Sequence, residues 1–352
     1  MNEASSSDCH HGFADKSDDQ VLALRRLIVS YRVSQSLFVA ARLGIADLLK
    51  EGERSVEYLA LKTGAHGPSL YRIMRLLASE GIFEEVSPEH FKLTPLAVPL
   101  RADVDGSLRS RALFEGEKCN WQSWGNIMHT VRTGQSAFND EFKTVFFDYV
   151  KENETTAEIF DNLMATQTMP WAKAVVEAYD FSNVKTLVDV AGGYGALLTT
   201  IMSAHPSIQG TLFDMEHVIE SAKLKLKEMP EIGNRCQAVG GDMFKSVPAG
   251  CDCYMLKYIL HDWDDEHSKL ILRNCREAMS NTESRLLIIA LLIKPGNEYD
   301  WAKSVDVDML VLTGGGERTV EQHQALLESS GFRLSRVIST KCDLSILEAI
   351  PV

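Results

Sequence analysis

The stretch Thr186-Leu-Val-Asp-Val-Ala-Gly-Gly-Tyr-Gly-Ala-Leu-Leu198 decides the fold. It opens with an apolar run of strand length, Thr186 to Val190. Glycines follow at 192, 193 and 195, and then a helix. Strand, glycine turn and helix form the first unit of an α/β sheet, and glycines there let backbone approach a ligand at the carboxyl end of the strand. The dinucleotide fingerprint GxGxxG would need a glycine at 198, where the residue is Leu198, and no Gly-Lys-Ser/Thr is present. The loop therefore cradles something that need not place a diphosphate on the helix terminus.

The same texture repeats downstream. Gly210–Phe213, Cys236–Val239, Cys253–Leu256 and Leu286–Ile289 are short apolar runs separated by helical or loop segments. That is the pattern of a parallel sheet covered on both faces. The last two runs, Phe332 to Ile338 and Leu344 to Ala349, lie close together and suit an antiparallel edge hairpin. Asp214 ends the second strand, nineteen residues after Gly195, where an acid can hold a ribose diol. Gly240-Gly241-Asp242-Met243-Phe244 follows the third; Asp242 can accept from an adenine amino group and Met243 can pack on its face. Three successive strand ends of this kind fit an adenosine compound without phosphate.

The fourth strand runs into Leu256-Lys-Tyr-Ile-Leu-His261-Asp-Trp-Asp-Asp-Glu266. His261 lies at the mouth of the same crevice. That place favours a general base over a buried structural histidine. Asp264, Asp265 and Glu266 read as acids that suit the dipole of a helix over Ser268–Met279. A metal held by His261, Asp262 and His267 is disfavoured, because no further ligands stand nearby to complete a shell.

Upstream, residues 111–180 are helical and aromatic-rich, and Gly134 and Asn153 break the run. Before them Leu70, Ile73, Met74 and Leu77 make an amphipathic stripe that Gly81 ends. Ile82–Val86 and Phe91–Leu93 read as a hairpin. Helices followed by a β-hairpin form a winged-helix arrangement. Residues 1–110 carry 13 Lys/Arg and 15 Asp/Glu, whereas a DNA reader carries a clear positive excess. The module therefore reads as a dimerisation element, and residues 1–18, with His10-His11 among them, as a disordered leader.

Composition bounds the rest. The 352 residues are 45% hydrophobic and 24% charged, with a net charge of −13. Such a chain repels phosphate backbones and anionic lipid. The longest apolar run, Leu286–Ile293, is far short of a membrane span. The N-terminus resembles neither a signal nor a transit peptide. The seven cysteines, at 9, 119, 236, 251, 253, 275 and 342, form no CxxC pair and read as reduced thiols in a cytoplasmic compartment. Cys251 and Cys253 read as alternating positions of one buried strand.

On Val188–Gly195, Phe213-Asp214, Gly241–Phe244, Leu256–Trp263 and Gly314-Gly-Gly-Glu-Arg-Thr319, the chain resembles the S-adenosylmethionine-dependent small-molecule O-methyltransferases of the plant caffeate type and their bacterial natural-product relatives. The resemblance spans about residues 20–352. It implies a class I methyltransferase Rossmann-like sheet over 181–352, with an antiparallel C-terminal edge. It implies a winged-helix-like dimerisation domain over 19–110, a helical substrate-pocket segment over 111–180, and a homodimer. It implies that Asp189, Gly192, Gly193 and Gly195 lie by the donor's amino-acid part, with Asp214 on the ribose. Asp242 and Met243 would take the adenine region, and Lys257 would help hold the donor. His261 would deprotonate a phenolic hydroxyl of an aromatic secondary metabolite. Met164 matches a pocket methionine; Trp121, Trp124, Phe147 and Met309 are further expected lining residues.

Two departures bear on the chemistry. Ala191 stands where relatives have glycine, a change expected to be tolerated. Glu317 matches one of the two acids that flank the histidine, but Ala290 stands at the other. That leaves Glu317 alone to orient the ring, and it opens C-methylation, or donor binding without methylation, as the alternative.

Overall fold

The computed structural model describes residues 16–280 and 283–352. The expectations for the leader, His10-His11 and Cys9 lie outside the described residues. The chain divides into two compact units, the first ending at Val104 and the second running from Asp105 to Val352.

The first unit holds helices α1 (Lys16–Val29), α2 (Tyr31–Arg42), α3 (Ile45–Leu48), α4 (Val56–Thr63) and α5 (Gly67–Ser79), and strands β1 (Arg54–Ser55), β2 (Phe83–Ser87) and β3 (His90–Leu93). The stripe on α5 buries Leu70, Met74 and Leu77. Gly81, at φ +75°, turns the chain into β2. The expected hairpin is joined by β1, which pairs with β3. At two residues β1 shows no periodicity for a sequence reading to find. Ser55 caps α4 by accepting from the Tyr58 N–H at 3.1 Å.

The second unit opens with five short helices, α6 (Arg109–Gly116), α7 (Lys118–Gly125), α8 (Ile127–Thr133), α9 (Ala137–Phe142) and α10 (Phe146–Glu152), and the long α11 (Glu154–Ala178). Phe114, Phe138 and Phe146 form a buried aromatic core among them, with Phe147 and Met164 at its margin. Then come β4 (Thr186–Val190), α12 (Ala196–Ala204), β5 (Gln209–Asp214), α13 (Glu216–Lys227), α14 (Pro230–Gly233), β6 (Cys236–Gly240) and β7 (Cys253–Lys257). The chain ends with α15 (Asp265–Ala278), β8 (Arg285–Leu291), α16 (Trp301–Leu312), α17 (Val320–Glu328), β9 (Phe332–Ser339) and β10 (Leu344–Pro351).

These seven strands order as β6-β5-β4-β7-β8-β10-β9. The first five are parallel, and β10 lies antiparallel between β8 and β9. Strand order reverses between β4 and β7, so their carboxyl ends open the crevice where such sheets bind ligands. Val188, Tyr254 and Leu286 bury one face; Leu187, Met255 and Leu287 bury the other. Cys251 falls before β7 and is half-buried, so it does not alternate with buried Cys253 in the strand.

Candidate active site

The glycine loop is built by close approach. A Cβ on Gly192 would lie 2.5 Å from Asp189 Cγ, so only glycine fits. The Gly193 N–H, at φ +59°, donates to Asp214 Oδ2 at 2.8 Å, and Met215 N–H donates to Oδ1 at 2.7 Å. Each Asp214 oxygen keeps lone-pair capacity for a ligand. Ala191 sits at φ +54°, a left-handed conformation that costs a residue with a Cβ about 1–2 kcal/mol. The alanine is accommodated, but with backbone strain.

Asp189 is buried at the end of β4, and burial, with Asp214 adding to it, pushes its pKa up to about 7 against the pull of Lys257. Burial lowers the Lys257 pKa in turn, with Asp189 and Asp262 opposing. The Lys257 ammonium donates to Thr168 Oγ1 on α11 at 3.0 Å, a partner with no signature in the sequence. Asp242 Oδ1 accepts from the Phe244 N–H at 3.0 Å, and Asn274 Nδ2 holds the Met243 carbonyl at 2.7 Å. Phe244 meets Trp263 edge to face at 4.7 Å between ring centroids, and Phe147 stacks with Trp263 at 6.3 Å. Two carboxylates, Asp189 and Asp214, lie against the glycine loop, and negative charge there suits a cationic ligand.

After β7 the backbone turns at Tyr258, with φ +59°, into a short 3₁₀ turn over Leu260–Asp262. His261 is 9% exposed. Its Nδ1 is 2.6 Å from Glu317 Oε1, and Asp262 Oδ1 is 3.6 Å from its Nε2. With an ionised glutamate, Nδ1 carries the proton and Nε2 is left basic. Burial pushes the imidazole pKa down, but Asp262 and the hydrogen bond to Glu317 outweigh it and the net shift is upward. Burial raises Asp262 to about 6. Glu317 is therefore not the only acid at the ring: Asp262 approaches the opposite nitrogen from the chain's next position. Ala290 on β8 is buried and brings no carboxylate.

The glycine-rich turn that carries Glu317 is fastened to the histidine turn. Gly316 N–H donates to the His261 carbonyl at 2.8 Å, and a Cβ on Gly315 would collide with that same carbonyl. Arg318 donates to the Leu260 carbonyl at 2.7 Å and the Trp263 carbonyl at 2.9 Å, and pairs with Asp265 at 2.9 Å. Asp306 Oδ1 accepts from the Glu317 N–H at 3.0 Å. Asp306 had no signal in the sequence, and the roles of Arg318 and Asp262, though both lie in quoted motifs, rest on side-chain contacts that residue order does not state. Asp264 caps α15, which starts at Asp265 rather than Ser268.

Among the expected lining residues, Trp124 Nε1 on α7 donates to Asp308 Oδ1 on α16 at 2.8 Å. Burial, with Glu115 adding to it, pushes Asp308 up to about 6, while Trp124, Arg111 and His261 pull it down. Met309 is its half-buried neighbour on α16, and Trp121 on α7 is 40% exposed. Among the described residues, no three or more His, Cys, Asp or Glu side chains gather to hold a metal ion. No helix there is long and apolar enough to cross a membrane.

Residues 124–333 match the family model of the O-methyltransferase domain, and residues 26–102 that of the O-methyltransferase dimerisation domain. The chain is 45% identical to the phenazine O-methyltransferase PhzM of Lysobacter antibioticus, over 94% of this chain and 96% of that one. It is 32% identical to the phenazine-1-carboxylate N-methyltransferase of Pseudomonas aeruginosa, over 90% and 93% of the two chains. The crystal structure of LaPhzM superposes with a TM-score of 0.89 at 44% identity, over 95% of this chain and 99% of that one. NcsB1, an O-methyltransferase from neocarzinostatin biosynthesis solved with S-adenosylmethionine and 2-hydroxy-5-methyl naphthoic acid, superposes with a TM-score of 0.83 at 28% identity, over 93% and 98%. With its glycine loop, its histidine turn and both domains accounted for, this chain belongs to the S-adenosylmethionine-dependent O-methyltransferases of secondary metabolism.

Proposed function

We propose that this enzyme methylates a phenolic hydroxyl of an aromatic secondary metabolite, with His261 Nε2 as general base. The observation that carries the reading is the 2.6 Å bond from His261 Nδ1 to Glu317, which holds a buried imidazole at the carboxyl end of β7. A phenol of pKa near 10 is a poor nucleophile at neutral pH. A neutral Nε2 takes its proton, and Glu317 and Asp262 stabilise the imidazolium that forms. The bound donor supplies a methyl group on a cationic sulfonium. In this reading Asp214 holds the ribose hydroxyls, Asp242 and Met243 meet the adenine, and Asp189 and Lys257 face the amino-acid part beside Gly192, Gly193 and Gly195. Trp121, Trp124, Phe147, Met164 and Met309 line the acceptor side.

The second reading is methylation at nitrogen, favoured by the relative that acts on phenazine-1-carboxylate. A nitrogen lone pair needs no proton removed first. The pH–rate profiles of the wild type and His261→Ala at saturating donor separate the two. A phenol predicts a loss of roughly 100- to 10,000-fold and of one ionisation. Identical profiles would eliminate His261 as the base.

The homodimer belongs to this proposal as well. Its support is the dimerisation-domain match and the exposed apolar side chains Val21, Leu24, Leu27 and Ile28 on α1. Sedimentation at micromolar concentration tests it; a fully active monomer would contradict it. Unpaired cysteines among the described residues support a reducing, cytoplasmic compartment.

A further inference from the structure

Beside His261 lies a small cavity that the chemistry above does not use. Its walls include His261, Glu317, Ala290, Arg318 and His323. It leaves about 10 Å³ for the centre of a water molecule, room for about one. His323 projects from α17 and is 2% exposed. Neither of its ring nitrogens has a hydrogen-bond partner among the described residues. Buried polar groups in folded proteins are paired with protein or with ordered water. Burial, with Arg318 helping and Asp265 opposing, brings the His323 pKa down to about 4. The ring is therefore neutral near pH 7, with one N–H to give. Glu317 gives Oε1 to His261, and its other oxygen retains acceptor capacity.

We propose that His323 is a positioning residue for the Glu317–His261 pair, donating to a water in this cavity that in turn donates to Glu317, in the space left beside the ring by Ala290. The proposal rests on His261 as the base. The small side chain at 290 makes room for the water, and the polar side chain at 323 anchors it. A donor on the far oxygen of Glu317 draws off part of the carboxylate's charge and fixes its orientation. The groups that face His261 are Glu317, Asp262, Lys257 and Asp308; those that face His323 are Arg318 and Asp265. Without the water, the whole Glu317 charge bears on the imidazole, which then holds its proton more tightly.

The test compares the pH–rate profiles of wild type, His323→Phe and His323→Gln at saturating donor. His323→Phe is expected to lower kcat about tenfold. A carboxylate no longer pinned at its far oxygen holds the ring, and so the Nε2 lone pair, less steadily on the acceptor, a loss of positioning that outweighs the gain in charge on the imidazolium. It should move the acid limb to higher pH by about half a unit, leaving donor affinity and acceptor KM unchanged. His323→Gln, which keeps a donor, should restore most of the rate. A His323→Phe profile that superimposes on wild type overturns the proposal. If His323→Phe does not fold, a crystal structure of the wild type that shows ordered water decides: a water bonded to both His323 and Glu317 supports the proposal, and a dry cavity sinks it. If instead the ionisation survives in His261→Ala, the base reading has failed, and that crystal structure still reports on the His323–Glu317 link by itself.

Discussion

Glu317→Gln isolates the charge at the centre of the proposed mechanism. The backbone that carries residue 317 is held by Asp306, by the His261 carbonyl and by Arg318, so an amide of the same shape should take the same place. It can still present an oxygen to Nδ1, and the tautomer survives. What is lost is the negative charge against the imidazolium that forms as the proton leaves the phenol. Two unit charges with centres about 4 Å apart interact by about 4 kcal/mol at an effective dielectric of 20. A retained neutral hydrogen bond recovers about 1 kcal/mol, and Asp262 remains 3.6 Å from Nε2. The expected net loss is about 2–3 kcal/mol, a fall in kcat of roughly 30- to 150-fold, with donor affinity unchanged. The His261 pKa, raised in the wild type, should fall. The wild-type rate should be lost as pH drops through a midpoint above the ordinary imidazole value, because protonation removes the base. In Glu317→Gln that midpoint should move to lower pH. Stopped assays of methyl transfer across pH, paired with NMR titration of His261, measure both quantities. A kcat within threefold of wild type and an unmoved midpoint would refute the assignment. In a relative with a second glutamate at the position of Ala290, the same change should cost less.

Three other outcomes are expected. Asp214→Ala should weaken S-adenosylmethionine binding by about 1–3 kcal/mol, the cost of charged hydrogen bonds left unmade; calorimetry checks it, and an unchanged affinity removes the ribose assignment. Ala191→Gly should raise stability by about 1 kcal/mol, because glycine relieves the strain at φ +54°; urea unfolding should show a higher midpoint at constant m-value. His323 has a folded pKa of about 4 against 6.5 for the free side chain, so the unfolded chain binds its proton first as pH falls. Below pH 6.5 its contribution should therefore erode, by about 3 kcal/mol at pH 4, and His323→Phe should show a correspondingly flatter fall between pH 6.5 and 4.

The sequence by itself determined the sheet, its glycine loop and the acids at successive strand ends. Each is local: an apolar run, a glycine, an acid at the end of a strand. Asp214 was legible because the spacing from Gly195 places it at the next strand end, and His261 because it follows β7 at the crevice. The strained backbone at Ala191 was not legible, since residue type does not state φ. The resemblance already put Glu317 beside His261, but only tertiary structure closes that contact across 56 positions, and it alone brings Thr168 to Lys257 across 89. Asp262 is adjacent in sequence, yet only the 3₁₀ turn carries its carboxylate back toward Nε2. Ala290 stood out in the sequence only as a missing acid, and nothing in the sequence set His323 apart. They line one cavity because a bridge between Leu292 and Arg318 brings the approach to α17 beside the end of β8, and no periodicity encodes a contact between elements that the chain visits separately.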